Sequence, residues 1–140
     1  MYNIEKKVFG RSANGEEILG YKLTFGGFIQ KDEMSSWVED SRKTLENRVG
    51  SMYVLVDMRT LKPLDAATQE IMVQGQQMYK ERGMQKSSVM VDSVITAMQF
   101  KKLAKESGIY AWERYFAGSE PQYEKKALDW LVNDVDPDKK

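Results

Sequence analysis

The chain has 140 residues, 41% of them apolar and 30% charged, which predicts one folded domain over 1–140 and excludes a disordered chain. Its 21 basic and 21 acidic side chains cancel, and basic runs stop at pairs such as Lys101-Lys102 and Lys125-Lys126, which argues against nucleic acid as a partner. Cysteine and histidine are both absent, which removes disulfides, thiolate nucleophiles, imidazole acid–base chemistry and the usual zinc ligands.

Residues up to about 25 read as a β-hairpin. Ile4, Lys6 and Val8 alternate on one arm and Leu19, Tyr21, Leu23 and Phe25 on the other, the two-residue period of a strand. Asn14-Gly15 between them accepts the positive φ that tight hairpin turns need, and Gly26-Gly27 is expected to break or kink the second arm. Residues 31–47 predict a helix with Met34, Trp37, Val38, Ser41 and Leu45 on one face and Gly50 as its stop. Met52 to Val56 is an unbroken apolar run, the mark of a strand covered on both faces, with Asp57 expected at its carboxyl end.

A second helix over 65–82 takes Asp65 as N-cap, puts Ile71, Met72, Gly75, Met78 and Tyr79 on one face and stops at Gly83. Val89-Met90-Val91 predicts another buried strand, ending at Asp92-Ser93. A third helix over 94–107 is expected to turn Ile95, Met98 and Leu103 inward and to end at Gly108. Trp112, Arg114 and Phe116 alternate in a last strand. Ser119-Glu120-Pro121-Gln122 has capping-box spacing, so the final helix is expected to start there, with Tyr123, Ala127, Trp130 and Leu131 as its apolar face. Residues 133–140 read as a flexible tail.

The order ββαβαβαβα predicts an α/β fold: a single domain with about four helices on a mixed, mostly parallel sheet whose edge is the antiparallel hairpin. No run approaches the ~18 apolar residues that span a bilayer, and Met1 to Lys7 has no apolar stretch behind its charges, so a cytoplasmic protein is expected.

Asp57 and Asp92 are the most suggestive chemical pair, because open α/β sheets bind ligands at the carboxyl ends of their strands. Side by side they would hold Mg²⁺ or share a proton. In the alternative, Asp92 caps the third helix and Asp57 caps a turn or pairs with Arg59. Phe25-Gly26-Gly27-Phe28 has neither a phosphate-loop nor a dinucleotide pattern, so no cofactor is expected. The nine methionines, Met72, Met78, Met84, Met90 and Met98 among them, either line an adaptable apolar pocket or fill the core. Trp112, Tyr115, Phe116 and Trp130 fit core better than a cofactor box.

Tyr53-Val54-Leu55-Val56-Asp57-Met58-Arg59, then Val89-Met90-Val91-Asp92, then Tyr115-Phe116 before Ala127-Leu128-Asp129-Trp130-Leu131 resembles the STAS-like superfamily, above all a bacterial branch similar to anti-sigma-factor antagonists and to lipid-transfer domains of the CRAL-TRIO type. The resemblance covers about residues 16–132 and implies a protein-interaction module. In anti-sigma-factor antagonists the corresponding turn reads Asp-Ser-Ser-Gly and carries a phosphorylated serine. Here it reads Asp65-Ala66-Ala67-Thr68, so alanines replace both serines and that phosphorylation has no acceptor.

Three functional readings follow. The first is a non-enzymatic interaction module docking a protein partner, or a second copy in a homodimer, through Asp65, Ala66, Ala67, Thr68, Gln69, Met72 and Gln76. The second is a binder of a small apolar or lipid-like ligand. The third is an enzyme or acidic site built on Asp57, Arg59, Asp92 and Ser93.

Overall fold

Strand pairing follows chain order. The computed structural model describes residues 1–139 and contains a five-stranded sheet ordered β1-β2-β3-β4-β5. β1 (Tyr2–Arg11) and β2 (Glu17–Gly27) form the antiparallel hairpin. β3 (Met52–Leu61), β4 (Met84–Val91) and β5 (Glu113–Ala117) then add in parallel. The helices are α1 (Lys31–Leu45), α2 (Ala66–Glu81), α3 (Val94–Ser107) and α4 (Tyr123–Asn133). This is the α/β arrangement the residue pattern predicts.

Each crossover advances one strand in the same direction, so right-handed connections put α1, α2 and α3 in one layer. α1 packs on α2, and α2 on α3, while α4 crosses the opposite face over β3, β4, β5 and β1. Residues on a strand alternate between faces, and β3 divides accordingly. Val54, Val56 and Met58 join the core beneath α1–α3, and Leu55 joins the smaller core beneath α4 with Met90, Phe116, Ala127, Trp130 and Leu131.

The larger core centres on Trp37. Phe25 meets its ring edge-on at 5.1 Å and Tyr79 stacks on it at 5.8 Å. A Cβ at Gly75 would stand 2.1 Å from the Trp37 ring, so glycine is what lets α2 approach α1. All five residues expected to face inward from α1 are buried.

The structure corrects six expectations. β3 runs on to Leu61, so Asp57 lies within the strand, opposite Thr24 and Met90. β4 begins at Met84 rather than at Val89. Its polar residues Ser87 and Ser88 are tolerated inside the sheet because their hydroxyls donate to Glu113 Oε1 at 3.0 Å and to the Ala127 carbonyl at 2.7 Å.

α3 is rotated from its expected phase. Thr96, Phe100, Leu103, Ala104 and Ser107 point inward, and Ile95 and Met98 point out. α4 starts at Tyr123 without a capping box, because Gln122 is itself the N-cap, in a left-handed conformation (φ 58°) with no side-chain cap bond, and Ser119 lies outside the helix. The Trp112 position also shifts, into a 3-10 turn at Tyr110–Trp112.

Finally, the segment after α4 is tied down. Arg114 Nε and Nη2 donate to Asp136 Oδ1 and Oδ2 at 2.8 and 3.0 Å, and Lys86 pairs with Asp134. Lys140, the end of the expected tail, lies outside the described residues.

Candidate functional site

Four strands, β2 to β5, run the same way, so the loops leaving their carboxyl ends share one edge of the sheet. The β2–α1 and β3–α2 loops touch there, with the Lys62 N–H on the Gly27 carbonyl at 2.9 Å. The β3–α2 loop is also held by α3. Gln99 accepts from the Leu64 N–H at 2.8 Å and donates to the Leu64 carbonyl at 3.1 Å, and Thr96 donates to the Leu61 carbonyl at 3.2 Å.

Asp57 and Arg59 face the α4 side of this edge. Arg59 closes on the carboxylate from both ends, Nε to Oδ1 at 3.0 Å and Nη2 to Oδ2 at 2.9 Å. Its Nη1 donates to the Tyr123 hydroxyl. Burial pulls the Asp57 carboxyl up, and the bonds and charge of Arg59 outweigh it, holding the group below the ordinary aspartate value. Asp92 joins this cluster through Gly118, where a Cβ would stand 2.0 Å from Asp92 Oδ1 and 3.2 Å from Arg59 Cδ.

Both Asp57 oxygens therefore accept from Arg59, the pairing weighed against a shared site with Asp92. Among the described residues no cluster of three or more carboxylates is placed to hold a metal. Asp92 is not the cap of α3. Ser93 is, accepting from the Thr96 N–H at 3.2 Å, which also occupies the Ser93 hydroxyl.

The expected docking turn is split by burial. Asp65 caps α2 by accepting from the Thr68 N–H at 2.8 Å, as its residue type predicts. Asp65, Ala66 and Ala67 are exposed. Thr68, Met72 and Gln76 are not surface residues, with exposures of 0%, 2% and 7%. Spaced at i, i+4 and i+8, they form the inward stripe of α2, and the Gln76 side-chain carbonyl accepts from Ser107 at 2.7 Å. Gln69 is half-buried and donates to the Leu64 carbonyl at 2.9 Å.

Beside those exposed residues stands an apolar rim that the sequence reading misplaced. Phe28 on the β2–α1 loop is 66% exposed, and Val94, Ile95 and Met98 on the first turns of α3 are 74%, 63% and 66% exposed. Ile95 and Pro63 line a shallow hollow of about 620 Å³ with Arg59, Lys62 and Asp92. The available signal was the run Lys101, Lys102, Lys105 and Glu106. These charges define the outer face of α3, and at helical spacing they place Ile95 and Met98 on it.

The interior gives a different picture. Between the sheet and α1–α3 lies a cavity of about 30 Å³, room for about one water, lined only by buried side chains, Met58, Met72 and Met84 among them. Glu113 closes one end of it. Ser87 donates to Oε1 at 3.0 Å and Tyr115 to Oε2 at 2.7 Å. Burial pushes the Glu113 carboxyl up to about 7, and the two hydrogen bonds offset only part of that. Its far side borders an outer groove of about 270 Å³ lined by Lys101, Tyr110, Arg114 and Tyr115. Nothing in the residue pattern distinguishes Glu113 from a surface glutamate.

No protein-family model matches the chain, and no curated protein matches it significantly. No helix of the described residues is long and apolar enough to cross a membrane.

Proposed function

We propose that the chain is a non-enzymatic, cytoplasmic interaction module of STAS-like type that docks a protein partner on the carboxyl edge of its sheet. The observation that carries this reading is the run of exposed apolar side chains Val94, Ile95 and Met98 on the outer first turns of α3, with exposed Phe28 on the β2–α1 loop at the same sheet edge. Large apolar side chains gathered on one patch mark interaction sites, whereas scattered ones do not. Asp65, Ala66 and Ala67 border the same edge, so the turn singled out by the STAS-like resemblance lies beside the rim. The fold is compatible with that resemblance, and the engagement of Asp57 by Arg59 favours a non-catalytic role for the strand ends.

A binder of a small apolar ligand ranks second, since the internal cavity admits about one water and a lipid-like guest needs several hundred Å³.

A photo-crosslinker placed at position 98 and activated in the source cells tests the docking reading. The expected result is a discrete crosslinked protein that disappears when Ile95→Asp and Phe28→Asp are introduced together. An unchanged crosslink pattern in that double variant removes the reading. A crosslink to the chain itself reassigns the surface to a homodimer.

A further inference from the structure

The outer strip of α3 continues from the apolar rim into a row of cations. Ile95, Met98, Lys102 and Lys105 follow one another at three- and four-residue steps and are all exposed. Lys101 stands beside them, and Glu106 is the only acid on the helix. Among the described residues none of Lys101, Lys102 and Lys105 makes an ion pair. Two are held in place without being neutralised. Lys101 lies 5.3 Å from the Tyr115 ring centre and Lys105 lies 4.8 Å from that of Tyr110. Of the two acids lining the neighbouring groove, Glu113 is buried on Ser87 and Tyr115, and Asp138 is already 3.5 Å from Arg114.

We infer that the partner is an acidic amphipathic helix lying along α3, its apolar residues on Ile95 and Met98 and its carboxylates on Lys101, Lys102 and Lys105. This rests on the docking reading above and adds the chemistry of the partner. The 14 residues of α3 give a contact line of about 21 Å, enough for four turns of a partner helix. A helix in an apolar groove is recognised by anchors at this same spacing, and rim charges select the partner. An anionic bilayer fits less well. A flat surface needs a broad cationic face, whereas the unpaired cations here form one strip that a helix about 10 Å wide covers.

Two synthetic peptides with the same leucine stripe test this, one with glutamates and one with lysines on its flanks. Binding is read by fluorescence anisotropy and located by amide-shift mapping on the labelled chain. The glutamate peptide is expected to bind at least about tenfold more tightly, with shifts confined to α3, and the preference is expected to reverse in Lys102→Glu/Lys105→Glu. Equal binding of the two peptides, binding of neither, or indifference to the charge reversal overturns the inference. So does tighter binding to phosphatidylglycerol vesicles than to either peptide, or a light-scattering dimer dispersed by Ile95→Asp. The docking reading is scored separately. If the position-98 crosslink survives while peptide choice ignores charge, only the acidic chemistry is lost. If that crosslink is insensitive to Ile95→Asp/Phe28→Asp, the docking reading itself fails.

Discussion

The two faces of the sheet are held by different physics. Beneath α1–α3 the core is apolar and aromatic, with Trp37 between Phe25 and Tyr79, and the one carboxylate there, Glu113, is held by hydroxyls and makes no ion pair. Beneath α4 the charges are paired. Lys86 and Arg114 each lie 4.5 Å from the Trp130 ring centre, Arg114 holds Asp136, and Arg59 holds Asp57 while covering Tyr123 at 5.2 Å. One face therefore draws on burial, which salt hardly touches. The other draws on half-buried ion pairs and cation–π contacts, which salt and acid weaken. Substitutions on the two faces are expected to respond to solvent differently.

The largest effect belongs to the apolar face. Trp37→Ala leaves a cavity under α1 and removes both ring contacts, a loss of about 4 kcal/mol. Urea unfolding is expected to report that loss equally at low and high salt. A loss that shrinks in 1 M salt would mean the two faces are not separable in this way.

Glu113 comes next, and its sign is fixed by its environment. Its carboxyl is raised from the ordinary glutamate value of 4.5 to about 7 because burial disfavours the charged form. The folded state therefore keeps a proton that the unfolded chain gives up. Stability from this group is complete below pH 4.5, falls as pH rises to about 7 and stays lower above it, by on the order of 3 kcal/mol. Glu113→Gln is expected to flatten that slope and to be more stable than the parent at pH 8. Denaturation midpoints at pH 5 and pH 8 decide it, and parallel pH dependence in parent and variant would refute a buried, cation-free carboxyl.

The α4 face should move the other way and less far. Asp136 is lowered to about 2, chiefly by the Arg114 bonds, so its contribution is present above the ordinary aspartate range and fades as pH falls towards 2. Arg114→Met, which loses the stacking on Trp130 as well, is expected to cost about 1 kcal/mol at low salt. Thermal unfolding with and without added salt checks it, because the difference from the parent should narrow as salt rises.

The same contrast explains what the residues disclose. Where burial and apolarity coincide, the sequence is transparent, as in Met34, Trp37, Val38 and Leu45 of α1 and the run Val54 to Val56. Where polar residues are buried because a partner satisfies them, it is opaque. Ser87 and Ser88 hide the first half of β4, and Gln76 passes for a docking surface while its carbonyl accepts from Ser107 in the core. At the carboxyl edge the error is one of phase. Ile95 and Met98 are apolar, so composition sends them inward, but the lysines one and two turns further on fix the outer face of the same helix. Asp57 was marked for pairing with Arg59 or chelation with Asp92, and only tertiary geometry decides between those.

The smallest expected effect on folding carries the most functional weight. Ile95 and Met98 occupy the outside of α3, opposite Leu103, which is 1% exposed, so serine at either position removes almost no buried area. Ile95→Ser and Met98→Ser are each expected to leave unfolding free energy within about 0.5 kcal/mol of the parent, as surface changes usually do. A core residue seen in a mistaken orientation would instead cost several times that. If both substitutions are neutral to folding and Ile95→Ser abolishes the position-98 crosslink, the apolar rim is kept for something other than the fold. If either destabilises the chain like a Leu103 truncation, α3 sits in the phase that its apolar residues alone suggest, and the rim ceases to exist as a surface.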